Sequence, residues 1–274
     1  MIALLLIVIA KRLKATQVPA LRGTRFDAES KRENRDNEKS RDRLDTIAQN
    51  NDSGRGAADS VWVLTSAIAI STLGAMADSL QVLAVVGSLN RASVTRVVVS
   101  DVAEKLRARG CVVDVLDFFH EPLALFNPES AYEAAGYSSL QGRVEKADAY
   151  ILGTPDYHGS MSSAIKNFLD HFWEEFAGKL FGTIVASHEK GLTVTDQLRT
   201  VVRQCYGWSL PYGISFADRE DLKDGKVVSE SLQKRIEMFA HDLSVYGKVL
   251  ATQRRADLAG NDPGFMARYR KAGK

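Results

Sequence analysis

Residues 80–96, LQVLAVVGSLNRASVTR, decide how the rest of the chain is read. Six of the seven residues from Leu80 to Val86 are apolar, and the run stops at Gly87. A continuous short apolar run, without polar alternation, is the pattern of a strand buried on both faces. After the turn, Val94, Val98, Val102 and Leu106 recur every four residues, and Gly110 follows Arg109 as a helix stop. The unit repeats downstream. Strands are expected in CVVDVLDF (111–118), DAYILGT (148–154), LFGTIVAS (180–187) and PYGISF (211–216). Helices are expected in SSAIKNFLDHF (162–172), with Ile165, Phe168, Leu169 and Phe172 on one face, and in TVTDQLRTVVRQCYGW (193–208). A last helix carries Leu232, Ile236, Phe239, Leu243, Tyr246 and Leu250 on one stripe. Strands alternating with helices predict an α/β fold, a doubly wound five-stranded parallel sheet with helices on both faces.

The sheet starts well inside the chain. Residues 1–75 open with MIALLLIVIA, ten apolar residues, short of the ~20 needed to span a bilayer, and their positive charges follow the run rather than precede it. The stretch 25–56 is dense in both charges and poor in large apolar side chains, so it is expected to remain disordered. A second apolar stretch, VWVLTSAIAISTLGAMA (61–77), leads to Met76. Residues 1–75 read as an N-terminal upstream extension of a natural start at Met76. A membrane-contacting or targeting role is the lesser alternative. The expected division is thus extension 1–75, ligand-binding domain 76–252, and a basic polar tail 253–274 that frays. A net charge of +2 on 274 residues makes no global case for a nucleic-acid partner, so small-molecule substrates are expected. Cys111 and Cys205 are too few and too far apart for a disulfide scaffold or a zinc motif. They read as reduced, buried thiols of a cytoplasmic protein.

Doubly wound sheets bind ligands outside the carboxyl ends of their strands. The first such turn, GSLNRASVTR (87–96), offers a tight turn at Gly87, polar groups at Ser88, Asn90, Arg91, Ser93 and Thr95, and the positive end of the following helix. That is a phosphate cradle. It is neither a Walker A loop nor G-x-G-x-x-G, and Ser93 also suits a plain N-cap. The third strand ends in TPDYHGSMSSAIKNFLDHF (154–172). There Pro155 is read as fixing a turn, with Asp156, the flat Tyr157, His158 and Gly159 lining a planar ring that takes backbone partners on its polar edge. One loop for a phosphate and one for a ring describe a mononucleotide. The five histidines show no metal-ligand spacing, and HGSMS is not a nucleophile elbow, so no protein nucleophile is expected.

Together, GSLNRASVTR and the segment bearing Pro155, Tyr157, Gly159, Ser160, Lys166, Asn167 and Asp170 resemble the NADPH-dependent FMN reductase family of flavodoxin-like proteins, over roughly residues 80–250. The resemblance implies strand order 2-1-3-4-5 and non-covalent FMN. Ser88, Asn90 and Ser93 would hold the phosphate, Asp156, Tyr157, His158 and Gly159 would line the isoalloxazine, and Ser187 would supply a third flavin-contacting loop. It departs from the family at Asn90, where arginine is common; Arg91 follows one place later, and either could meet the phosphate. It further implies NADPH or NADH as hydride donor to flavin N5, a second electron acceptor, and a homodimer or homotetramer. Quinone, azo-compound or metal-ion reduction on the same fold is the alternative. A flavodoxin-type one-electron carrier fits less well, since the T/S-x-T-G-x-T loop is absent. The connection 118–139 reads equally as an interface or pocket wall and as an ordinary packed loop.

Overall fold

The computed structural model describes residues 79–188 and 191–270. The expectations for the extension 1–75 lie outside them. Strands β1 (Gln81–Val86), β2 (Val112–Asp117), β3 (Ala149–Tyr157) and β5 (Leu180–Ala186) are parallel neighbours in the order β2-β1-β3-β5. The fifth position is shared by two short strands. β6 (Trp208–Ser209) pairs with Leu180–Phe181, and β7 (Ile214–Phe216) pairs with Ile184–Ala186. The expected order therefore holds, with its last strand divided. β4 (Ser160–Met161) is an antiparallel addition to the tip of β3, and β8 (Leu222–Lys223) and β9 (Lys226–Val227) form a separate hairpin.

Successive residues of the central strands face opposite layers, as the pleat requires. Val82, Ala84 and Val86 of β1 pack with Val98, Val102 and Leu106 of α1 (Val94–Ala108) and with Ile236, Phe239 and Leu243 of α6 (Glu230–Ala259). Leu83 and Val85 face Leu140 and Val144 of α2 (Tyr137–Lys146), Ile165 and Phe168 of α3 (Ser163–His171), and Val194 and Leu198 of α4 (Leu192–Gln204). Between β7 and β8 lies the single turn α5 (Asp218–Asp221). Burial on both faces explains why β1, β3 and β5 read as mostly apolar runs without polar alternation.

Three sequence expectations are corrected. The connection 118–139, read as a loop, contains the 3₁₀ turn Ala131–Glu133, and α2, where no helix was expected, begins at Tyr137 within it. On α6 the buried stripe passes from Leu243 to Gly247, against which Leu80 packs, and on to Ala251, leaving Tyr246 55% exposed. The chain also stays ordered past Gln253. The helix runs to Ala259, and the 3₁₀ turn Phe265–Tyr269 folds back to bury Met266.

Lys179, 2% exposed, enters β5 from below. Its Nζ donates to the carbonyls of Val144 (3.0 Å) and Glu145 (2.9 Å) at the end of α2 and to Tyr150 Oη (3.3 Å). Burial, reinforced by the neighbouring Arg254 cation, lowers its pKa from 10.5 to about 7. Between those values the unfolded chain holds a proton that the folded chain does not, so stability rises with pH, by up to about 1.4 kcal/mol per unit. Below pH 7 both states are protonated and the term is flat. Denaturant unfolding from pH 6.5 to 9.5 should show this rise in the wild type and lose it in Lys179→Met.

Candidate functional site

Gly87 closes β1. Its N–H donates to Gly153 O (2.8 Å) at the matching point of β3, and its carbonyl accepts from Ser162 Oγ (2.7 Å). A Cβ here would lie 2.1 Å from Ile165 Cγ1, so α3 can approach only a glycine. Ser88, 3% exposed, accepts at Oγ from Asn90 N (3.4 Å). Asn90 Oδ1 accepts from Ala92 N (3.0 Å), and Ser93 Oγ caps α1 by accepting from Arg96 N (3.1 Å). Each serine hydroxyl uses an acceptor lone pair in these bonds and keeps its proton to donate. Ser93 is therefore the plain N-cap and remains available to an anion. Thr95 turns the other way: it is 1% exposed, with its methyl facing Gly153.

A strap that sequence reading missed holds this loop. Arg96 Nη1 donates to the carbonyls of Asn90 (3.2 Å) and Arg91 (3.0 Å). Its Nη2 donates to Asp117 Oδ1 (3.1 Å) and its Nε to Oδ2, at the carboxyl end of β2. Burial works to raise the Asp117 pKa, but the Arg96 fork and the Phe119 amide outweigh it and hold the carboxyl below its usual range. Asn90 and Arg91 are both exposed, with their backbone tied down by this one guanidinium.

At the third strand's end the expected loop is a hairpin. Pro155 does not make the turn; it lies within β3, in register with Ala186. Pairing of β3 with β1 ends at Gly153, so Pro155 sits where β3 has become an edge, and proline is tolerated there. The turn is His158–Gly159, with φ of 58° and 75°. Positive φ at both central residues is the two-residue turn that matches strand twist. Asp156 binds it from within. Its Oδ1 accepts from Gly159 N (2.8 Å), and its Oδ2 accepts from Ser187 Oγ (2.8 Å) beyond β5. Thus Ser187 reaches the same place as Asp156, Tyr157, His158 and Gly159, and Tyr157 stays 53% exposed. Ser162 joins this loop to the first, donating from N to Thr154 Oγ1 (2.9 Å) and from Oγ to Gly87 O.

The rest of the second motif is structural. Lys166 pairs with Asp170 one turn on (2.6 Å). Asn167 accepts from Phe126 N (2.8 Å) and donates to Ala124 O (2.9 Å), pinning the connection after β2. That connection walls a 210 Å³ cavity with Leu89 and Ala164. A groove of 870 Å³ runs on the other side of the hairpin, between Met161, Lys166, Leu192 and Gln197.

This geometry has relatives. The family model for NADPH-dependent FMN reductases matches residues 80–220, a little over half of the chain, and includes all three loops. The chain belongs to this family. FMN-dependent NADPH-azoreductases are similar in sequence. That of Staphylococcus haemolyticus is 27% identical over 173 residues, 59% of this chain and 92% of the relative. That of Staphylococcus saprophyticus is 28% identical over 149 residues, 50% of this chain and 78% of the relative. In fold, the chain resembles the flavoenzyme FerB of Paracoccus denitrificans, with TM-score 0.53, 20% identity and coverage of 62% of this chain and 97% of that one. An NADH:FMN oxidoreductase in its apo form also gives 0.53, at 16% identity, covering 61% and 90%. The protein is an NAD(P)H-dependent oxidoreductase of flavodoxin-like fold, with FMN as cofactor and NADPH or NADH as donor. Its first loop fits a flavin phosphate on chemistry: it carries two serine hydroxyls and a helix N-terminus, and no carboxylate lies in the loop itself.

The strap is testable apart from the cofactor. Arg96→Met leaves Asp117 buried without its cation and should cost about 3 kcal/mol at pH 7, the lower end for breaking a buried pair. The depressed Asp117 pKa makes the wild-type contribution present above about pH 4 and lost as pH falls through the folded value. The gap between variant and wild type should therefore narrow at pH 3.5, as read by urea unfolding.

Proposed function

We propose that the crevice between the β1, β3 and β5 loops holds FMN, with its phosphate at Ser88, Ser93 and the α1 N-terminus and its ring against the 156–159 hairpin. The convergence of three independent loops on one point carries this reading. Asn90 and Arg91 line the phosphate end. Of the two, Arg91 is the cation, which favours it for the phosphate contact. Asp156 and Ser187 spend their side chains on each other, so their part is to hold the hairpin, while the backbone at His158 and the face of Tyr157 meet the ring. When bound, the flavin supplies the redox chemistry, taking a hydride at N5 from NAD(P)H and passing electrons to a second acceptor. The protein orients donor and ring and narrows access through Tyr157, with no side-chain nucleophile.

The names of the relatives support azo compounds and free flavin as classes of second acceptor, and quinones and metal ions remain alternatives on the same fold. Exposed Leu125, at 85%, and Leu192, at 70%, lie beside the cavity and the groove that flank the site, which supports a homodimer or homotetramer joined there. The buried free thiols Cys111 and Cys205 support a cytoplasmic setting. No helix among the described residues is long and apolar enough to cross a membrane.

The full chain, loaded with FMN and kept free of oxygen, should bleach on adding NADPH and recover its colour with an azo dye or a quinone. A flavin that stays oxidised in excess NADPH and NADH would overturn the reading. Ser88→Ala and Ser93→Ala should each weaken FMN binding by about 1.5–3 kcal/mol, the scale of a hydrogen bond to a charged group, and leave riboflavin binding nearly unchanged. Equal losses for both ligands would remove the phosphate assignment.

A further inference from the structure

The hairpin that meets the ring in this reading is too small to hold itself. β4 is two residues long and pairs only with Asp156 and Tyr157, and an isolated two-stranded hairpin is marginal in water. Asp156 braces it on the β5 side. On the other side stands Gln197, in the second turn of α4, flanked in sequence by the buried stripe Val194, Leu198 and Val202. Its Nε2 donates to Gly159 O (3.1 Å), while its Oε1 accepts from Ser160 Oγ (3.0 Å) and Met161 N (3.4 Å). One primary amide thus satisfies a carbonyl, a hydroxyl and an amide on three successive residues. Among side chains of this length only glutamine offers both the donor and the acceptor; glutamate at neutral pH lacks the donor, and leucine lacks both.

We propose that Gln197 is a positioning residue for the flavin ring. It clamps the His158–Gly159 turn to α4 and thereby sets the aim of the turn backbone at the ring's polar edge. This rests on the ring lying against the hairpin, as proposed above. The Gly159 amide is already spent on Asp156. The His158 peptide at the turn tip is therefore the backbone group whose direction the clamp controls. Hydrogen bonds at that edge favour the reduced, more negative ring over the oxidised one. A loosened turn should then cost the reduced flavin more than the oxidised, and should spare the phosphate contact.

The test compares wild type, Gln197→Leu and Gln197→Glu as full chains. In Gln197→Leu, oxidised FMN and oxidised riboflavin should both bind about ten-fold more weakly, by the same factor. Reduced FMN should lose about ten-fold more, lowering the two-electron midpoint potential by about 30 mV. Gln197→Glu keeps the acceptor contacts and should fall between. Hydrogen exchange of the 157–161 amides, measured without flavin, should speed up in Gln197→Leu. Faster unfolding with unchanged potential and unchanged local exchange would make Gln197 a merely structural residue and overturn the proposal. If the wild type takes up no flavin, the cofactor-site reading fails, and the exchange result alone then decides whether Gln197 clamps the turn.

Discussion

The crevice depends on a single backbone position without a side chain. Gly87 ends β1 with its amide on β3 and its carbonyl on the cap of α3, so the two strand ends that flank the site are joined through one residue. The contact of Ile165 with that backbone leaves no room for a Cβ. From this junction the first loop turns outward into the α1 cap, and the second continues as the extended arm of β3. Any side chain at 87 would push α3 away, separate Ser162 from its acceptor, and open the junction between the two loops.

Charge is handled with the same economy. A phosphate cradle must stay rich in donors when empty, and an exposed loop with two free carbonyls would weaken it. Arg96 takes both carbonyls and is itself neutralised by Asp117, so the loop is shaped by a cation whose charge is largely cancelled at β2. The field left at the loop comes from the α1 terminus and from Arg91. Lys179 solves a related problem at the opposite end of the sheet, where three oxygens at the end of α2 and on Tyr150 would otherwise be buried with fewer donors.

The second motif shows how one run of sequence divides its labour. Pro155, Asp156, Lys166, Asn167 and Asp170 stand close together in the chain, and most of them hold structure rather than ligand. Asp156 locks the turn and reaches Ser187, Lys166 pairs with Asp170, and Asn167 secures the wall formed by residues 123–126. What these contacts leave uncommitted is backbone at the turn tip and the face of the half-exposed Tyr157. The shape of this loop is set by residues such as Gln197 and Ser187 that are far away in sequence.

The sequence by itself determined the layers of this protein and where its strand-end loops lie. Mostly apolar runs without alternation at β1, β3 and β5, and three- and four-residue periodicity in α1 and α3, report burial on two faces and on one, and both are local properties of the chain. The loops at 87–96 and 154–162 were legible for the same reason, since turn and cap chemistry acts between residues a few places apart. Only the tertiary structure decided that the turn lies at His158–Gly159 rather than at Pro155, that Tyr246 yields its place to Gly247, that α2 begins inside the connection 118–139, and that the 3₁₀ turn after α6 folds back on Met266. The Arg96–Asp117 strap and the Gln197 clamp join residues 21 and 36–38 positions apart. Their partners are chosen by which strand ends the sheet places side by side, and no local pattern encodes that choice.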